Sequence, residues 1–283
     1  MKNEHFNGKV ILASAGPGDP ELITIKTANY LNLADVVLTD RLVSSELLEL
    51  YVNANAEIVH VGKQAGRNTS TSQQSINELM VHFALQNKLV VRLKGGDTSV
   101  FSNVLDELEA LIENNIPYEI IPGVTAALGA AAFAGIPLTA RNYSNAVRFL
   151  TFYKPDTISE KGWEELAETD DTLVFYMSSE KLSELVSGLR QHGISDGKLL
   201  AVVEQATTSL QNVTITNLYE FEERCCGKTF LSPSLVIIGK VVALHDRFKW
   251  FSNVHSAEHY FKPLRHITLD GSNSNHEQKL VRC

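Results

Sequence analysis

The 283-residue chain has room for one large or two modest domains, and its 44% hydrophobic and 20% charged content is ordinary for a water-soluble fold. Its 25 basic residues against 33 acidic ones leave a net charge of −8, so no global basic surface for nucleic acid exists and any anion site must be local. No apolar run reaches the roughly 20 residues that span a bilayer, the polar start lacks a secretory stretch, and three cysteines (Cys225, Cys226, Cys283) give neither metal-ligand spacing nor a disulfide framework; a cytoplasmic protein with reduced thiols and no metal is expected.

In chain order, strand-like runs at 9–15, 36–40, 57–61, 89–93 and 118–121 alternate with helical patterns near 21–33, 44–53, 73–86 and 101–114. Ile76, Leu79, Met80, Phe83 and Ala84 recur at helical spacing, as do Val104, Leu108, Leu111 and Ile112. Such alternation predicts βαβ crossovers and a largely parallel sheet. After the polar stretch 137–145 a second set begins, with strands expected at 146–152, 172–177, 199–204, 211–216 and 235–242. A helix bearing Leu182, Leu185, Val186 and Leu189 on one face lies among them. The expected architecture is α/β in two domains, 1–140 and 146–253, each a mainly parallel or mixed sheet flanked by helices. A polar, mobile tail is expected over 254–283.

Ligands of open α/β sheets bind beyond the carboxyl ends of the strands. Here those ends read Gly16-Pro17-Gly18-Asp19-Pro20, Asp40-Arg41, Gly62-Lys63, Lys94-Gly95-Gly96-Asp97 and Pro122-Gly123-Val124-Thr125. Each carries glycine, charge or both, which marks one rim as a site. Plainer roles exist for each: a turn with Asp19 capping a helix that starts at Pro20, or a glycine turn at 95–97. Close packing of the small residues from Gly129 onward is another. The first loop lacks the third glycine of a dinucleotide fingerprint. Asp40 and Lys63, at adjacent strand ends, are the natural acid/base candidates, with a surface ion pair as the simpler alternative for either.

Together the strings ASAGPGDPELITIKTANYL, ADVVLTDRLVS, VGKQAG, VVRLKGGD, IPGVTAALGAAAFAGIPLTAR, TLVFYM and PSLVIIGKVVAL resemble the tetrapyrrole methylases, in family order over roughly residues 8–252. The resemblance implies a two-domain homodimer with S-adenosylmethionine in the cleft between domains. Carried over by motif, Pro17, Gly95, Gly96, Asp97, Val100, Thr125, Ala126, Met177 and Ala206 would contact the cofactor. Asp40 would accept a proton and Lys63 donate one. The implied reaction is C-methylation of uroporphyrinogen III to precorrin-2 through precorrin-1, on the way to sirohaem or cobalamin. Because that substrate carries eight carboxylates, Arg41, Arg67, Arg141 and Arg148 are candidate clamps. Arg141 also matches a family position, and Asp106 falls on the substrate side.

The chain departs from the family pattern in places. After Asp97 it reads Thr98-Ser99-Val100-Phe101-Ser102-Asn103, with Asn103 where an arginine is usual and the following glycines replaced. Ala140 and Tyr153 stand where histidines are usual, Ala206 stands for glycine, and a histidine near Thr69 is absent. Most changes fall on the tetrapyrrole side. A relative acting on another precorrin or acceptor, or a paralogue that binds without turnover, is therefore the alternative expectation.

Overall fold

The computed structural model describes residues 8–62, 71–254 and 256–261. Among these, ten strands form two five-stranded sheets. The first takes β1 (Lys9–Ser14), β2 (Val36–Thr39), β3 (Glu57–His60), β4 (Leu89–Lys94) and β5 (Tyr118–Ile121) in the order β3-β2-β4-β1-β5. Every neighbouring pair is parallel. The two central strands, KVILAS and LVVRLK, are almost wholly buried, as continuous apolar runs in a parallel sheet require.

Helices cover both faces. On one, Leu31 of α1 (Ile25–Leu33) and Leu47 of α2 (Ser45–Tyr51) pack on Ile11, Ala13, Val37 and Val91. On the other, Ile76, Met80 and Phe83 of α3 (Gln73–Leu85) join Leu111 of α4 (Val104–Glu113) over Val10, Leu12, Leu38 and Val90. The helical face read from apolar spacing in α3 is thus the buried one; in α4 Val104, Leu108 and Leu111 turn inward while Ile112 is exposed. In this sheet the strand limits lie within one residue of the expected runs.

Two helix starts differ from expectation. The 21–33 run divides into a short 3-10 turn, Pro20–Leu22, and α1, because Asp19 caps the first through Glu21 N–H and Thr24 caps the second through Thr27 N–H. The segment expected to be helical from 101 begins at Val104, since Phe101 and Asn103 sit at φ 51° and 53°, which a right-handed helix excludes.

The second sheet comprises β6 (Val147–Thr151), β7 (Thr172–Tyr176), β8 (Leu199–Glu204), β9 (Asn212–Asn217) and β10 (Ser234–Gly239), ordered β6-β7-β10-β8-β9. Only β6 and β7 run parallel, so this sheet is mixed. One face holds Trp163 and Leu166 of α6 (Glu160–Glu168) and Leu185, Val186 and Leu189 of α7 (Leu182–Gln191). The other face is covered by α5 (Ala126–Phe133), which precedes the polar break in sequence. Ala127, Ala130 and Ala131 of α5 pack with Val174, Ala201, Val203 and Ile237. Its small side chains let the helix approach closely: a Cβ on Gly129 would lie 2.7 Å from Pro17 and 2.9 Å from Thr207.

The stretch expected to trail away after 254 is instead seated as far as 261. Gln205 accepts from Tyr260 N–H (2.7 Å) and donates to the Glu258 carbonyl (3.0 Å). Tyr260 donates its hydroxyl to Glu46 (3.1 Å), and Phe261 is buried. Residues 262–283 lie outside the described residues.

Candidate active site

The parallel sheet brings the loops after β1, β2, β4 and β5 to one rim. Gly16 and Gly96 exchange backbone hydrogen bonds (Gly96 N–H to Gly16 O 2.7 Å, Gly16 N–H to Gly96 O 3.1 Å), which ties the GPGDP loop to the GGD turn. Gly96 needs its φ of +71°, and a Cβ there would meet only the Ala126 nitrogen, at 3.8 Å. A side chain at 96 would therefore stand over the start of α5, where Thr125 and Ala126 lie. Gly95 backs onto Leu42, 2.7 Å from a hypothetical Cβ.

Asp97 is buried with both oxygens engaged. Oδ1 accepts from Ser99 N–H (2.8 Å) and Ser99 Oγ (2.5 Å), and Oδ2 accepts from Gly123 N–H (2.8 Å). Burial alone would raise its pKa; the hydrogen bonds from Ser99 and Gly123 outweigh it and hold the carboxyl below its ordinary range. Asp97 thus joins the turn after β4 to the loop after β5. Ser14 does the same from below, accepting from Thr98 N–H (2.9 Å) and donating to the Ile121 carbonyl (2.9 Å).

The opposite wall comes from the second sheet. Tyr176, at the end of β7, bonds to Thr125 Oγ1 (2.8 Å) and accepts from Ala127 N–H (3.0 Å), while Phe101 from the first domain meets its ring edge-on at 5.0 Å. Met177 follows, exposed and at φ 54°. Below it the Thr207 hydroxyl accepts from Asp19 N–H (3.0 Å), and Ala206 is buried beside Gly18. Pro17, Gly95, Gly96, Asp97, Val100, Thr125, Ala126, Met177 and Ala206 all lie along these loops, on both sides of one cleft.

Beside the cleft is a cavity of about 270 Å3 whose lining includes Asp40, Arg41, Gln73, Arg92, Lys94 and Val100. Asp40 leaves β2 at its carboxyl end. Its Oδ1 is sealed from solvent without a hydrogen-bond partner among the described residues, and Oδ2 is 3.7 Å from Arg92 Nη2. Burial pushes the carboxyl above the ordinary carboxylate range, against the pull of Arg92 and Lys94.

Behind Asp40 lies a charge cluster. Glu107 of α4, at 0% exposure, accepts from Arg92 Nε at 2.9 Å and from Lys94 Nζ at 2.5 Å. Arg92 Nη1 donates to the Leu38 and Leu93 carbonyls. Burial lowers the Lys94 pKa, opposed by the Glu107 carboxylate. Sequence reading passed over Arg92 and Glu107. The signal was present: charges at alternate positions of a strand otherwise reading Leu-Val-Val-Leu demand buried partners.

Other candidates fall elsewhere. Lys63 and Arg67 lie outside the described residues. Arg148 is not a clamp in the cleft; it is bound on its own domain, to Asp171 (2.6 Å) and Thr169 (3.2 Å). Arg141 is exposed in the tight turn closed by Ala140 and Ser144, and it does not line the cavity. Asp106 accepts from Asn103 Nδ2 (2.6 Å) and faces a groove between α3 and α4 with Glu109 and Glu113. Arg41 lines the cavity with Asp40. No group of metal ligands occurs among the described residues, and no described helix is long and apolar enough to cross a membrane.

Residues 9–222 match the family model described as tetrapyrrole (corrin/porphyrin) methylases. A siroheme synthase of Actinobacillus succinogenes is 41% identical over 273 residues, covering 95% of this chain and 55% of the relative. One of Psychromonas ingrahamii is 43% identical over 253 residues, 89% of this chain and 53% of that protein. The chain spans about half the length of these curated relatives. Among solved structures, a uroporphyrin-III C-methyltransferase of Thermus thermophilus superposes with TM-score 0.72 at 31% identity, over 88% of this chain and 99% of that one. The same enzyme complexed with S-adenosyl homocysteine gives 0.68 at 33%, over 83% and 93%. A cobalt precorrin-4 methyltransferase gives 0.74 at 26%, over 86% and 99%.

Proposed function

The chain belongs to the tetrapyrrole (corrin/porphyrin) methylases, and from that premise we propose that it methylates uroporphyrinogen III at carbon, from S-adenosylmethionine, giving precorrin-2 through precorrin-1. The observation that carries this reading is Asp40: a carboxylate with one oxygen unpartnered among the described residues, backed by Arg92, beside a cavity that adjoins the glycine rim. The names of the siroheme synthase relatives and of the Thermus enzyme support the choice of acceptor.

The open space at Gly96 beside the Ala126 nitrogen is where S-adenosylmethionine would be held, with Pro17, Thr125, Met177 and Ala206 on the neighbouring loops. S-adenosylmethionine, when bound, supplies a methyl group already activated by its sulfonium, so alignment carries most of the rate. Asp40 takes the proton that the methylated ring carbon sheds, with its basicity raised by burial. Lys63 donates a proton or steadies negative charge. Arg41 and Arg141 hold acetate and propionate groups of the tetrapyrrole. A homodimer belongs to the same reading, supported by exposed Leu128 and Phe248 beside an apolar hollow.

The test is incubation of the purified chain with S-adenosylmethionine and enzymatically made uroporphyrinogen III. A product heavier by two methyl groups is expected. Cofactor binding without methyl transfer overturns the reading. One observation favours a second acceptor: Asn103, where the family has arginine, is turned to Asp106 and offers no cation to the cavity. Methylation of another precorrin in preference to uroporphyrinogen III would select that reading.

A further inference from the structure

We propose that Glu107 is a positioning residue for proton acceptance: by gripping Arg92 through Nε and Lys94 through Nζ, it holds Arg92 Nη2 beside Asp40 Oδ2 and so fixes the Asp40 carboxylate at the wall of the cavity.

The argument begins with geometry. Arg92 has three nitrogens to satisfy. Nε goes to Glu107, Nη1 goes to two backbone carbonyls, and Nη2 approaches Asp40. With two of its three nitrogens anchored, the guanidinium has one orientation, and that orientation faces the cavity. Glu107 is the only carboxylate in contact with Arg92 besides Asp40 among the described residues, and it lies on a different element, α4. The cluster of Asp40, Arg92, Lys94 and Glu107 is neutral when all four are ionised, so each buried charge has its opposite. The charged groups that face Asp40 are Arg92 and Lys94 from β4, Glu107 from α4, and Arg41 from its own turn.

Charge alone does not explain Glu107. If it were replaced by glutamine, Lys94 would lose its counter-ion, and burial already disfavours its charged form. A neutral Lys94 amine can accept from the glutamine amide while the glutamine carbonyl still accepts from Arg92 Nε. The cluster keeps its net charge and Arg92 keeps its anchor. Leucine at 107 removes both grips. Arg92 then keeps only its Nη1 bonds to the Leu38 and Leu93 carbonyls and can pivot about them, and Asp40 loses the fixed cation that opposes its burial.

The proposal rests on the methyltransferase reading for its chemistry, but its primary test does not. The titration of Asp40 is followed by 13C NMR of the labelled carboxyl in ligand-free protein. Glu107→Leu is expected to raise the Asp40 midpoint by at least about one pH unit, and Glu107→Gln to leave it within about 0.3. Should Glu107→Leu not fold, Arg92→Lys replaces it, because an amine cannot reach Glu107 and Asp40 at once; the same rise is expected. In methyl transfer, Glu107→Leu moves the acid limb of the kcat profile to higher pH, with activity returning in alkali and KM for S-adenosylmethionine unchanged. An unmoved Asp40 midpoint in Glu107→Leu or Arg92→Lys, or Glu107→Gln behaving as Glu107→Leu, overturns the positioning role. A wild-type protein that titrates as expected yet methylates nothing would overturn the proposed function while leaving the Arg92 clamp standing.

Discussion

Asp97, buried, and Asp40, half-buried, are carboxylates on the same rim, and their surroundings give them opposite characters. Asp97 spends its oxygens on Ser99 and Gly123 and is held ionised. Asp40 has one oxygen without such a partner among the described residues and is pushed towards neutrality. Asp40→Asn is therefore expected to lower kcat by roughly 10²–10⁴ while S-adenosylmethionine affinity stays the same, read by steady-state kinetics and calorimetry. Asp97→Ala is expected to weaken cofactor binding and also to cost about 1–3 kcal/mol of stability, because three donors lose their acceptor; calorimetry and urea unfolding measure the two. Sequence position alone pointed to both residues, since each ends a strand on the ligand side of the sheet. It did not point to the Arg92–Glu107 pair. That contact spans 15 positions and depends on which face of α4 turns inward.

At the scale of elements, β5 is held to its neighbours by Glu119, which bonds to Lys9 of β1 (3.0 Å) and Tyr30 of α1 (2.7 Å) and pairs with Lys26. Hydrogen bonds from Lys26, Tyr30 and Lys9 draw its pKa from 4.5 down to about 2. A carboxyl depressed by folding contributes fully above its unfolded value and progressively less as pH falls. The stability difference between wild type and Glu119→Gln, measured by urea unfolding, should be full at pH 6, shrink below pH 4.5 and vanish near pH 2. Partial exposure limits it to about 1–2 kcal/mol. Gly129→Ala is the complementary case. Its Cβ would meet Pro17 at 2.7 Å and Thr207 at 2.9 Å, so about 1–3 kcal/mol of urea stability should be lost and the cleft loosened. Strand runs were legible because central parallel strands must be continuously apolar. The start of α4 was not, because Val104, Leu108 and Leu111 have helical spacing whether or not the three residues before them are helical. Only the left-handed backbone at Phe101 and Asn103 decides it.

At the scale of the whole molecule, the two sheets are joined by more than a linker. Asp19 meets Thr207, Phe101 meets Tyr176, and Tyr260 reaches back to Glu46. The sequence break at 137–145 marks a change in composition, but the packing divides earlier, since α5 lies on the second sheet. Small residues from Ala126 to Ala132 signalled close packing without saying against which sheet, because alanine fits either.

The placement of α5 has a consequence for energetics. Its first turn stands at the cleft, bonded to Tyr176, and its last turns are built into the hydrophobic interior shared with Ala201, Val203 and Ile237. Whatever rests on Thr125 and Ala126 is thereby in thermodynamic linkage with the opening of the second sheet as a whole, beyond the strand ends that border the site. At a hundredfold excess over Kd a bound ligand should add about 2.7 kcal/mol to that opening. Hydrogen exchange at the amides of Ala201, Val203 and Ile237 should slow accordingly when S-adenosyl homocysteine is added. Unchanged exchange there, alongside protection of the rim loops, would mean that the helix yields at its first turn.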